Sequence, residues 1–270
     1  KPDVIHQHIP QFSGFILRNY PCIKVATIHD GKSEFELMKD LGLRRRLYYL
    51  IFRRWLNFKN MDSITVVSRH NTNYMNERYG GRYKFLHISN GIDTNQFKQL
   101  DLPKKQKSVL YVGRLMKRKG VLNLLQTSQL MPDYEFTFVG RGNLESKIKG
   151  PNVNFVGFVD NLSEYYNSHE VCVFPSNSEN YPLVGLESMS CGTPVISSQI
   201  GFSEYIKNNE SGIILEDNNP ESIKKSIEIL STNDSLREKI VLNGLKVAKE
   251  KDWKNIIAEY RDLYVRLMKN

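Results

Sequence analysis

Cysteine is scarce: 270 residues contain three, Cys22, Cys172 and Cys191, far apart and set among apolar or small neighbours. That spacing excludes a disulfide framework and the paired-cysteine patterns of zinc sites. It fits buried thiols in a reducing cytoplasm. Long apolar runs are missing too. VIHQHI, CIKVATI, SITVV, VLYVG, FTFVG, VCVFP and PVISS all fall short of the roughly 20 residues a membrane-crossing helix needs. No zinc pattern, RNP-like aromatic strand or recognition helix is present, so nucleic acid is not an expected partner. There is no basic-then-apolar leader either. KPDVI enters a strand without a preceding Met, and residue 1 is therefore expected to be an internal cut.

Acidic residues are short only in the first part. The formal charge of +9 comes from residues 1–107, with 19 Lys and Arg against 9 acids, whereas residues 108–270 hold 19 against 20. Much of the excess lies in LGLRRRLYYLIFRRWLNFKN at 41–60, where Arg44, Arg45, Arg46, Arg53, Arg54 and Lys59 alternate with Leu, Tyr, Ile, Phe and Trp at helical spacing. Two readings stand: a helix lying on an anionic bilayer surface, or an ordinary amphipathic helix packed on a sheet with its arginines solvated.

Short β-rich runs alternate with helical stretches, the pattern of βαβ units and a mainly parallel sheet. Strands are expected near 4–9, 22–28, 63–68 and 85–89, with helices near 34–57 and 70–79. LDLPKKQK at 100–107 reads as a linker, polar and broken by Pro103. The rhythm then restarts with strands near 108–113, 135–139, 153–158, 171–174, 194–198 and 212–215, and closes with helices at 220–230, 234–249 and 253–268. The expected organisation is an α/β chain with Rossmann-like domains at 1–103 and 104–252 and a C-terminal helix at 253–270.

A doubly wound sheet binds ligands beyond the carboxyl ends of its strands, and the informative residues lie there. After SVLYVG come Arg114 and Lys119 in a glycine-bounded turn that feeds a helix, so both cations can converge on one anion. Lys117 and Arg118 read as solvated. After VCVF comes PSNSENYPLVGLESMSCGTP. Pro182 suits the first turn of a helix whose amides near Leu183 and Val184 would hold a phosphate. Glu179 falls before that helix and Glu187 in its second turn, one carboxylate on each side of the phosphate, each able to accept hydroxyl hydrogen bonds. His29 and Asp30, after CIKVATI, read either as a histidine at a cleft or as an ordinary cap with Asp30 as the capping residue. His6 and His8 share a strand face, but with no third ligand a metal site is not expected.

The pair Glu179 and Glu187 in E-x7-E spacing, VGR-x4-KG at 112–120, NGID at 90–93 and CGTPVISS at 191–198 together resemble glycosyltransferase family 4. NVNFVGFV at 152–159, FVGRGNL at 138–144 and WKNIIAEYRDLYVRL at 253–267 extend the likeness over essentially the whole chain. The resemblance implies a GT-B fold, two Rossmann-like domains facing a cleft, here with an N-terminal domain lacking its first quarter to third.

The resemblance also implies roles. Arg114 and Lys119 would bind the donor diphosphate and stabilise its developing charge; Glu179 would hold the donor sugar and Glu187 the ribose. Phe155, Val156 and Gly157 would meet the base through backbone groups, and His29 would meet the donor sugar from the first domain. Tyr181, Asn90 and Gly113 join the substrate- and nucleotide-binding set. Asn180 and Tyr181 replace the Gly and Phe of many relatives, a change in the pocket that leaves the carboxylate in place. The closing helix would brace the first domain.

The implied activity is retaining, metal-independent and cofactor-free transfer of a hexose or N-acetylhexosamine from a UDP- or GDP-sugar to a hydroxyl by front-face attack. A lipid-linked or glycan acceptor in surface polysaccharide or lipopolysaccharide assembly is expected, at the inner face of the plasma membrane if 41–60 binds lipid. The alternative is an inactive sugar-nucleotide-binding module of the same fold.

Overall fold

The computed structural model describes residues 1–8, 20–29, 60–79 and 82–269, the Arg78 side chain excepted. The expected helix at 34–57, the bilayer reading of 41–60 and the capping reading of Asp30 lie outside the described residues. The chain divides into two compact units, Lys1–Asn90 with Lys254–Asn270, and Gly91–Trp253.

In the first unit, strands β1 (Val4–His8), β2 (Ile23–Ile28), β3 (Ser63–Val66) and β4 (Phe85–His87) form a parallel sheet in that order. Side chains alternate across a strand, and the two faces are covered by different helices. Ile28, Ile64, Val66 and Phe85 pack with Met75 of α1 (Arg69–Tyr79). On the opposite face Val25 and Ile88 pack with Ile256 and Leu263 of the last helix, joined by Tyr260, Tyr264 and Leu267. The i, i+4, i+7, i+8, i+11 spacing of these five residues is the apolar stripe of an amphipathic helix. Thr27 and Thr65 lie on the same sheet face, hydroxyl to hydroxyl at 2.6 Å, with the Tyr260 hydroxyl 3.2 Å from Thr27.

The second unit holds a six-stranded parallel sheet built from β5 (Lys105–Val112), β6 (Glu135–Val139), β7 (Val153–Gly157), β8 (His169–Phe174), β9 (Val195–Ser197) and β10 (Ile213–Ile214). Its spatial order is β10-β9-β8-β5-β6-β7. The chain begins at β5, winds outward through β6 and β7, returns to place β8 on the other side of β5, and winds outward again. Winding therefore reverses between β5 and β8, and the crevice beyond their carboxyl ends is where such a sheet binds ligands. Val109 to Val112 are buried because strands covered on both faces favour continuous apolar runs. The helices of this unit are α2 (Val121–Leu130), α3 (Ser163–Ser168), α4 (Leu183–Ser190), α5 (Pro220–Thr232) and α6 (Asp234–Glu250), and the last helix of the chain is α7 (Trp253–Lys269). Asn219 and Asn233 cap α5 and α6 through side-chain oxygens.

The division between units falls after Asn90, not between 103 and 104, and 100–107 is not a free linker. Segment 91–104 is tied to the second unit. Ile92 N–H donates to Lys251 O (2.9 Å), Thr94 bonds Asp252, and Ser190 Oγ donates to Phe97 O (2.5 Å). Asn167 holds both Lys98 O (2.9 Å) and Leu100 N–H (2.8 Å). β5 already begins at Lys105. At the other end, residues 254–270 belong to the first unit through Ile256 and Leu263.

Candidate functional site

Arg114, Arg118, Lys119 and Glu179 gather at the switch point. Gly113 follows β5, its N–H bonded to Val139 O at 3.0 Å, and Arg114 beyond it is exposed. A 3-10 turn at Lys117–Lys119 ends in Gly120, whose φ of +70° lies in the left-handed region. A Cβ there would run into the Pro175 carbonyl, so glycine is required on two grounds. This close approach brings the turn after β5 against the loop after β8.

Across that contact, Lys119 Nζ donates to Glu179 Oε1 at 2.5 Å, and Ser176 Oγ donates to the same oxygen at 2.9 Å. The two ionic side chains are only 16% and 10% exposed. Burial lowers the proton affinity of Lys119, Glu179 opposes that, and the nearby positive charges of Arg118 and Arg114 lower it further. Arg114, Arg118 and Lys119 thus form one field of positive charge that the half-buried Glu179 carboxylate partly neutralises. Asn177 N–H bonds Arg118 O at 2.8 Å, and Asn218 Nδ2 bonds Ser176 O at 3.3 Å. Behind Glu179, a Cβ on Gly201 (φ +78°) would stand 2.7 Å from the Glu179 Cβ, so the loop after β9 backs the carboxylate.

Pro182 is the N-cap of α4, in extended conformation and with no side-chain cap. The first amides of the helix, at Leu183 and Val184, have no intrahelical acceptor by geometry. Its start is clamped from outside: Tyr205 OH donates to Pro182 O at 2.5 Å, and Phe202 and Tyr205 leave no room for a side chain at Gly185. Tyr181 is buried, its ring 5.4 Å from that of Tyr205. Glu187, one turn into α4, accepts from Tyr166 OH at 2.7 Å through Oε2. Burial raises its proton affinity, and the tyrosine hydrogen bond counteracts that.

At the sheet edge, β7 pairs with β6 through Phe138 with Phe155 and Val139 with Gly157. Val156 falls outside this register, at a bulge in the pairing. Phe155 is 38% exposed, and beside Gly157 (φ +83°) there is open space.

His29 and Asn90 belong to the first unit, at the end of β2 and as its last residue before the division. His29 Nε2 lies 2.8 Å from His8 Nδ1. The two ring nitrogens of His6 meet Tyr264 OH (2.5 Å) and Thr27 Oγ1 (2.6 Å), and its pKa is lowered to about 4, chiefly by burial. Among the described residues no group of three or more metal-ligating side chains converges, and no helix is long and apolar enough to cross a membrane. The three thiols are unpaired, those of Cys172 and Cys191 buried.

Of the residues singled out in the sequence, the structure joins Lys119 to Glu179 in one ion pair and places Tyr181, Leu183, Val184 and Glu187 before and along α4. Ser176, Gly201, Tyr205 and Tyr166, which contact these residues, were not singled out in the sequence. Ser176 stands three residues before Glu179, a signal available in PSNSEN; the others come from distant segments and leave no local trace.

Two parallel α/β units, one with the Lys119–Glu179 pair at its topological switch point, define a protein of the GT-B class. The chain belongs to the glycosyl transferases group 1: that family's model matches residues 92–247, and the model of Glycosyltransferase Family 4 matches residues 1–96. An uncharacterized glycosyltransferase of Methanocaldococcus jannaschii is 27% identical across 98% of this chain and 76% of its own length. The capsular polysaccharide biosynthesis glycosyltransferase CapM of Staphylococcus aureus is 32% identical across 63% of this chain and 51% of its own. The UDP-Gal:alpha-D-GlcNAc-diphosphoundecaprenol alpha-1,3-galactosyltransferase of Escherichia coli is 27% identical across 100% of this chain and 77% of its own. The sucrose-phosphate synthase of Thermosynechococcus elongatus superposes with a TM-score of 0.83 at 23% identity, over 99% of this chain and 74% of that one. Anabaena HepE in complex with UDP-glucose does so at 0.81 and 18%, over 98% and 79%. The structural likenesses establish the fold.

Proposed function

We propose that the protein is a retaining glycosyltransferase that moves a hexose or N-acetylhexosamine from a UDP- or GDP-sugar to a hydroxyl of a lipid-linked or other glycan acceptor in surface polysaccharide assembly. The observation that carries this reading is the pair of half-buried carboxylates flanking the start of α4. Glu179 faces the cationic turn and Glu187 lies eight residues on, each with one oxygen held by the protein. The names of the relatives support the acceptor class: CapM serves capsular polysaccharide and the E. coli enzyme a diphosphoundecaprenol-linked sugar.

In this mechanism the donor diphosphate lies between the amides of Leu183 and Val184 and the charges of Arg114 and Lys119, which stabilise the negative charge gained as the glycosidic bond breaks. Glu179 accepts hydroxyls of the donor sugar and Glu187 those of the ribose. Val156, outside the β ladder, offers backbone groups to the base between Phe155 and Gly157, and Gly113 allows the close approach of phosphate. Tyr181 shapes the sugar pocket. His29 contributes to transfer and Asn90 to substrate binding. The leaving diphosphate takes the proton of the acceptor hydroxyl on the same face, and no divalent cation takes part.

Calorimetric titration with UDP and GDP tests the site. Micromolar binding of one of them, weakened at least tenfold in Glu187→Ala and Arg114→Ala, is expected. A folded chain that binds neither would reduce the reading to the fold alone, and binding without sugar transfer would leave an inactive nucleotide-binding module.

A further inference from the structure

A glutamate on a helix has three rotatable side-chain bonds, and ordering such a side chain costs up to about 1.5–2 kcal/mol. A carboxylate that must meet a vicinal diol therefore binds best when it is already oriented. Among the described residues, Tyr166 OH is the donor to the Glu187 carboxylate, and it occupies Oε2 alone. A carboxylate offers about four lone-pair sites, so those of Oε1 remain open to a diol.

The tyrosine is itself fixed. Its ring is fully buried, with Phe97 edge-on at 6.0 Å. Its carbonyl accepts from Thr193 Oγ1 at 2.5 Å, and that hydroxyl accepts from Lys104 Nζ at 2.6 Å. Lys104 Nζ also bonds the His169 carbonyl at 3.2 Å. Asn167, the next residue, anchors α3 to segment 91–104. A rigid chain thus runs from Lys104 through Thr193 and Tyr166 to Glu187.

We propose that Tyr166 is a positioning residue for ribose recognition: it holds Glu187 so that Oε1 meets the 2′- and 3′-hydroxyls of the nucleoside diphosphate. This inference rests on the reading of Glu187 as the ribose acceptor. Burial also keeps the Tyr166 hydroxyl protonated, far above its ordinary range, so it remains a donor.

Calorimetric titration of the wild-type chain, Tyr166→Phe and Glu187→Ala, each with UDP or GDP and with the 2′,3′-dideoxy analogue, at a series of pH values falling from neutral until binding is lost, tests it. Tyr166→Phe is expected to weaken ribonucleotide binding about five- to tenfold, the effect of one hydrogen bond to a charged group partly replaced by water, and to leave the dideoxy analogue unaffected. Its ribonucleotide affinity should also fail at a higher pH than that of the wild type, because Glu187 loses the bond that favours its ionised form. Equal losses on both nucleotides, or no loss, would overturn the inference while the ribose site stood. A wild-type chain that binds both nucleotides equally would remove the ribose reading and the inference with it. If the orphaned carboxylate unfolds Tyr166→Phe, the double variant Tyr166→Phe/Glu187→Ala removes that cause. There, loss of the hydroxyl should add nothing to Glu187→Ala, and a further loss would overturn the proposal.

Discussion

Replacing Glu179 by glutamine keeps an acceptor for Ser176 and Lys119 and removes the charge. Two unit charges 2.5 Å apart attract by roughly 6–7 kcal/mol gross at an effective dielectric of about 20. The glutamine dipole and local relaxation recover part of this, and Lys119 can release its proton. The net cost should fall at about 2–4 kcal/mol, at the lower side of values for breaking a buried pair, since both side chains retain some exposure. For a unit the size of Gly91–Trp253, that lowers the melting temperature by about 4–16 °C.

The pH dependence of that loss has a definite sign. Lys119 has a lowered folded pKa, and Glu179→Gln lowers it further, so between that value and the unfolded value the unfolded state binds more protons. Stability of the variant must then rise with pH more steeply than that of the wild type. Urea unfolding at pH 7 and 9.5 of the wild type, Glu179→Gln, Lys119→Met and the double variant measures both quantities. The double variant should recover at least 1 kcal/mol relative to additive single losses. A coupling near zero, or a loss independent of pH, would refute the account of a pair held together by charge in a poorly solvated turn.

Further outcomes are expected elsewhere. Gly120→Ala places a Cβ against the Pro175 carbonyl at φ +70° and should destabilise the second unit by about 1–3 kcal/mol and weaken nucleotide binding, read by thermal melting and calorimetry. Burial pushes the thiols of Cys172 and Cys191 up to about 12 and about 11. At pH 8, Ellman's reagent should therefore titrate Cys22 in the native protein and all three thiols only after unfolding. His6, lowered to about 4, is protonated more readily unfolded than folded, so stability should be lost as pH falls from 6.5 toward 4, and His6→Gln should flatten that limb in urea titrations. Leu263→Ala, at a fully packed position of α7, should cost about 2–4 kcal/mol in the unfolding of the first unit.

Local pattern was enough for most of the architecture. EFTFV reads as a strand at 135–139 and is β6, and the stripe of Ile256, Tyr260, Leu263, Tyr264 and Leu267 announces α7. Periodicity and apolar content act within a few residues, and a sequence displays both. The same locality placed Arg114, Lys119, Glu179 and Glu187 after their strands.

What required the tertiary structure was every relation between distant segments. LDLPKKQK looks like a linker because it is polar and carries a proline, yet the unit boundary lies upstream, where Asn167 claims the backbone of Lys98 and Leu100 and Asp252 the hydroxyl of Thr94, each from more than 60 residues away. The ion pair of Lys119 with Glu179 spans 60 positions and the bond from Tyr166 to Glu187 spans 21. Sheet order decides these meetings. β8 returns beside β5 after two outward strands, and that reversal, which no local pattern encodes, juxtaposes the turn after β5 with the loop after β8. The sequence by itself therefore determined the elements and the kinds of chemical group at their ends. The long-range winding of the sheet determined which groups touch, because hydrogen bonds and ion pairs act over a few ångströms in space whatever the distance along the chain.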